Sequence, residues 1–123
     1  MAKKFSAGAR RKLDVLEEAS RKMDRVHSLV EQYAAAKGGA DHLLMSMAHA
    51  SKTLARLLLI GGFGAIADTL NGIATLARRG GSQQTKARNL RELVASGQAA
   101  IERAVKSVMT GEKKLALEAQ EDH

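Results

Sequence analysis

The chain has 123 residues, 45% of them hydrophobic, no proline, cysteine or tryptophan, and a formal net charge of +7. That length suits one domain with a real core and not two. Without cysteine there is no disulfide, thiolate metal site or cysteine nucleophile, and with no alternating run of strand formers the composition points to an all-α fold.

The basic N-terminus, with Lys3, Lys4, Arg10, Arg11 and Lys12, has no apolar stretch behind it and does not read as a secretory signal, so a cytoplasmic, bacterial-type protein is expected. The first helix is expected over residues 7–37, starting after Ser6. Its apolar seam is Leu13, Leu16, Met23, Val30 and Ala34, widened by Ala19, Val26 and Tyr33, with Ser20 and His27 on the same line. Acids and bases three or four apart cover the other face. Gly38 and Gly39 close this helix, and Asp41 is the expected N-cap of the next.

The second helix spans 41–60, with Leu44, Met47, Ser51, Leu54 and Leu58 inward. Its last turn, Leu57, Leu58, Leu59 and Ile60, is apolar all round. Such a turn must be covered on more than one side, by a neighbouring loop folded over it or by an oligomer contact, so these residues and Phe63 are candidates for packing against a partner or a second copy. Gly61, Gly62 and Gly64 then break the helix. A third helix follows over 63–79 on the heptad Phe63, Ile66, Leu70, Ile73, Ala77, and a fourth over 83–109 behind Ser82 as cap, on Leu90, Leu93, Val94, Gly97, Ile101, Val105 and Val108.

Short connections imply an up-down-up-down four-helix bundle over residues 1–111, followed by a charged tail over 112–123 that forms either a short helical extension around Leu115 and Leu117 or a disordered end. The competing arrangement joins helices two and three into one kinked rod and completes the bundle only by dimerisation. In the bundle, the unequal helix lengths make helices one and four overhang together, gathering Arg10, Arg11, Lys12 and Lys106 at one end. Lys37, Arg78, Arg79, Lys86 and Arg88 gather at the other, with Arg91 nearby.

Charge is uneven along the chain. Residues 1–37 carry 9 basic and 5 acidic side chains, residues 38–91 carry 7 and 2, and residues 92–123 carry 4 and 6. A basic middle of this kind attracts nucleic acid or acidic protein faces. With only Phe5, Tyr33 and Phe63 as aromatics, base stacking is disfavoured, and contact with backbone phosphates is the expected mode. Nothing separates DNA from RNA.

No catalytic constellation and no cofactor motif emerge. The glycine run lacks the preceding strand of a dinucleotide fingerprint and the Lys-Ser/Thr pair of a P-loop. His42 and His49 stand two turns apart, about 10 Å, too far to share one ion, and no metal site is expected. His27 reads as a half-buried, hydrogen-bonded histidine. The uncharged apolar run over 57–67 falls short of the roughly 20 residues of a membrane span, so no membrane partner is expected.

Two resemblances bear on function. His49 faces outward with Lys52 three residues on, which resembles the phosphoacceptor helix of histidine phosphotransfer domains. Lys52 matches that family's phosphoryl-stabilising lysine, Thr53 its small residue and Gly61 its helix-ending glycine, whereas Ser51 replaces an apolar residue. The resemblance implies phosphotransfer through His49 assisted by Lys52. Separately, Ile66, Leu70, Asn71, Ile73 and Ala74, followed by Arg78, Arg79, two glycines and a helix from Leu90, resemble the C-terminal part of plasmid mobilisation accessory proteins, which assist a relaxase at a transfer origin. Ala67, Asp68, Thr69 and Gly72 depart from that family's run, and residues 1–40 lack the strand of its ribbon-helix-helix part. The reading that joins these observations is a non-enzymatic accessory protein that touches nucleic-acid phosphates through Arg78, Arg79, Lys86, Arg88 and Arg91, and through Arg10, Arg11 and Lys12. A protein-protein adaptor is the third possibility.

Overall fold

The computed structural model describes residues 6–38 and 40–121, with side chains up to Gly111. Four helices follow one another, α1 (Ala7–Ala35), α2 (Asp41–Ile60), α3 (Gly64–Arg78) and α4 (Gln83–Glu121), with no strand among the described residues. Each packs against its two neighbours around a ring, α1 on α2, α2 on α3, α3 on α4 and α4 on α1, while the backbones of the diagonal pairs lie apart across the core. This is the expected up-down-up-down bundle, and separate, antiparallel α2 and α3 exclude the kinked rod.

The core is aliphatic. Leu16, Met23, Met47, Leu54, Leu58, Leu70, Ile73 and Leu90 are its largest fully buried side chains. The α1 seam differs from the sequence reading in one strip: Leu29 is buried, while Ser20 and His27 face solvent. His27 is therefore not a half-buried core histidine. Its Nε2 lies 3.9 Å from Glu31 on the helix surface.

The α1 N-terminus is capped by Ser6, whose Oγ accepts from the Ala9 N–H at 3.1 Å. Its far end stops at Ala35, two residues short of expectation. Gln83 holds this end: its side-chain amide donates to the Ala36 carbonyl (2.6 Å) and to the Tyr33 carbonyl (2.9 Å), which also accepts from the Ala36 N–H at 3.2 Å. Asp41 is not the N-cap of α2. Ala40 occupies that position without a side-chain bond, and Asp41 lies inside the first turn, where its charge faces the positive end of the helix dipole.

The α2–α3 break uses its glycines differently. Gly62 alone of the three takes positive φ, +91°. Gly61 has helical backbone angles, and a Cβ there would stand 2.7 Å from Val15 Cγ1, so this position needs a small residue because α1 passes close by. Gly64 opens α3 with room to spare.

Past residue 109, α4 continues through Gly111 to Glu121, which takes the helical extension of the two alternatives open for this segment. One glycine weakens a helix by about 1 kcal/mol relative to alanine. Lys113, Lys114, Leu115, Ala116, Leu117 and Glu118 beyond it are strong helix formers and carry the helix on. At 1.5 Å per residue α4 is about 58 Å long and α3 about 22 Å. With Gly61 level with Val15, the first turns of α1 and the last of α4 project past the α2–α3 turn, as the unequal lengths require. Residues 122–123 of the expected tail lie outside the described residues.

Candidate nucleic-acid interface

The opposite end of the bundle, where α3 passes into α4, holds a cleft of about 700 Å³. The outer face of α2 supplies Asp41, Leu44, Met45, Ala48, His49 and Lys52. The end of α3 and its turn supply Ala77, Arg78, Arg79, Gly80 and Gly81, and α4 contributes Lys86. Four cations thus face one carboxylate, with an exposed histidine at the side.

Local sequence explains how these groups meet. Arg78 ends α3, and Arg79 turns extended (φ −73°, ψ 150°), so the two guanidinium side chains leave the helix in different directions. Ser82 then caps α4, its Oγ accepting from the Thr85 N–H at 3.2 Å and its carbonyl from the Lys86 N–H at 3.0 Å. That turn sets Lys86 on the inner side of α4. The residue is only 7% exposed, and among the described residues no carboxylate pairs with its side chain.

The expected basic end divides in two. Arg78, Arg79 and Lys86 line the cleft together with Lys52, which the sequence reading had assigned only to a phosphotransfer role. Arg88 and Arg91 lie round the corner in a second groove of about 680 Å³ with Gln83, Gln84 and Glu92. Arg91 is engaged there: its Nε and Nη2 each donate to a Glu31 carboxylate oxygen at 2.8 Å. This paired guanidinium holds the Glu31 carboxyl below the usual range, and the carboxylate in turn raises the Arg91 pKa. Arg91 is therefore less available to a phosphate than its neighbours in sequence. Arg10, Arg11 and Lys12 are exposed at the other end of the molecule on the first turns of α1, where Lys106 is also exposed.

His49 and Lys52 are both exposed on α2, and His49 also borders a smaller groove of about 260 Å³ with Lys22, Arg25 and Thr53. Burial raises the pKa of Tyr33, and the nearby charge of Asp41 adds to it. Among the described residues no three His, Asp or Glu side chains gather as a metal site needs.

At the α2–α3 turn the apolar candidates separate. Leu58 is fully buried and belongs to the core, not to a partner surface, and Leu57 and Phe63 are half-buried against it. Leu59 and Ile60 are 64% and 81% exposed. As a helix α2 has 20 residues with mean hydropathy 1.3, long and apolar enough to cross a membrane, which the 11-residue uncharged run did not indicate. Its inner face is committed to the bundle core.

No protein-family model matches this chain, and neither a curated protein nor a solved structure is significantly similar to it.

Proposed function

We propose that this protein is a non-enzymatic, basic accessory protein that binds nucleic acid through phosphates at the α3–α4 end of the bundle. The observation that carries this reading is the concentration of Lys52, Arg78, Arg79 and Lys86 around one cleft against the single carboxylate of Asp41. Cations held together by three helices keep their mutual repulsion in the free protein, and a polyanion relieves it while releasing its own counterions. Reversing Arg78 and Arg79 to Glu reduces duplex binding at 50 mM salt at least tenfold, measured by fluorescence anisotropy. Unchanged binding in that double variant removes the cleft from the interface. The local likeness to plasmid mobilisation accessory proteins agrees with such a role, in which Leu59 and Ile60 serve a protein partner or a second copy.

A second reading is favoured by the exposure of His49 beside Lys52 on the cleft wall. In it His49 accepts a phosphoryl group from a receiver domain and Lys52 stabilises it. Incubation with a phosphorylated receiver then gives an acid-labile label on the wild type that His49→Gln abolishes. Equal labelling of the two, or none, ends this reading.

A further inference from the structure

We infer that the inner wall of the cleft, centred on Lys86, is a seat for a phosphomonoester carried on an organic body of about nucleotide size. The inference rests on the polyanion reading above and deepens it.

Two observations combine. Lys86 is 7% exposed, lines the cleft and, among the described residues, has no acid partner or hydrogen bond to its side chain. The Lys86 stem is buried while its ammonium opens into the cleft, so the charge is held there with no counter-ion bonded to it among the described residues, and an anion that enters the cleft meets it. Arg78 and Arg79 at the rim provide a second and third set of donors. The α2 wall facing them carries an apolar strip, Leu44, Met45 and Ala48, between the Asp41 carboxylate on one side and His49 and Lys52 on the other, and Met45 is 74% exposed.

Depth decides between classes of phosphate. The diester phosphates of a duplex lie on a convex surface and are tied on both sides to the continuing chain, so they meet the exposed rim cations but not a recessed ammonium. A monoester projects freely, carries about two negative charges and presents three acceptor oxygens. A cleft of about 700 Å³ lies within the range of small-molecule sites, which run from about 300 to 1,000 Å³. The shared chemistry, a terminal phosphate with an organic body, comes from a free nucleotide or from the phosphorylated end of a strand.

The test compares one fluorescent 12-nucleotide single strand with a 5′-phosphate and with a 5′-hydroxyl, at 50 mM salt. The phosphorylated strand binds at least tenfold tighter to the wild type. Lys86→Met, checked for helicity by circular dichroism, abolishes the preference, and Arg88→Ala retains it. AMP competes at concentrations at least tenfold below those of inorganic phosphate. A strand end binding more tightly than AMP identifies the strand as the source, and equal affinities identify the free nucleotide; both support the seat. Equal, salt-sensitive binding of the two strands overturns the seat and leaves the polyanion reading standing. Competition by inorganic phosphate as strong as that by AMP overturns the assignment of the apolar strip. Failure of both strands and of duplex to bind at 50 mM salt ends both readings.

Discussion

Ser51 brings a hydroxyl to the middle of the core, where it is wholly buried and its Oγ has no hydrogen-bond partner. The enclosed oxygen carries an uncompensated desolvation penalty, and serine is also a weaker helix former than alanine. Ser51→Ala is therefore expected to stabilise the bundle by about 1 kcal/mol, raising the Tm by roughly 3–5 °C in thermal unfolding followed by circular dichroism. A fall in Tm means that the hydroxyl is satisfied. The Glu31–Arg91 pair makes a pH-dependent prediction of definite sign. The folded state lowers the Glu31 pKa, chiefly through the hydrogen-bonded Arg91 guanidinium, so its stabilising contribution is complete above the ordinary glutamate value of about 4.3. That contribution fades as pH falls through the lowered folded value. Glu31→Gln should make the acid side of the stability–pH curve shallower and leave its shape near neutrality unchanged. An identical acid limb in the variant contradicts the pairing.

The α2–α3 turn shows what single residues contribute to an element. Gly62→Ala places a side chain at φ +91° and is expected to destabilise by about 1 kcal/mol. Gly61→Ala meets the Val15 methyl at 2.7 Å and is expected to lose about 1–3 kcal/mol, with Val15→Ala recovering part of it. Chemical denaturation of the three variants checks both, and strict additivity of Gly61→Ala with Val15→Ala contradicts the close approach. These elements were largely legible in the chain, because Ile66, Leu70, Ile73 and Ala77, or Met47, Ser51, Leu54 and Leu58, recur at the helical period. Element ends were less so. Gln83 takes the last α1 carbonyls from across the bundle, a bond between residues 47 and 50 positions apart that no local pattern encodes. The α1 face differs for a related reason: Leu29 and His27, about 200° apart, lie on opposite flanks of the seam, and only the placement of the neighbouring helices decides which flank turns inward. Gly111 leaves the end of α4 open between fraying and extension, and the strong helix formers beyond it decide for helix.

At the scale of the molecule, the grouping of charge emerges only once the helices close into a ring. A count of basic residues per segment placed Arg78, Arg79, Lys86, Arg88 and Arg91 together. Folding sends the first three into the cleft, where Lys52 joins them from α2, and commits Arg91 to Glu31 from 60 residues away. Sequence spacing within α4 cannot separate Lys86 from Arg88 in function, because which side of the helix faces α2 is a property of the assembled bundle. The cleft cations are the central claim, and they predict an electrostatic signature. If Lys52, Arg78 and Arg79 at the rim each neutralise about one phosphate, log K for a duplex falls with log salt at a slope of about −2.7, roughly a fortyfold loss from 50 to 200 mM. The decisive measurement is that titration by fluorescence anisotropy on the wild type and on the Arg78→Glu, Arg79→Glu double variant. The account predicts the steep slope in the first and a shallow slope with weak binding in the second, whereas equal slopes, or binding indifferent to salt, contradict it.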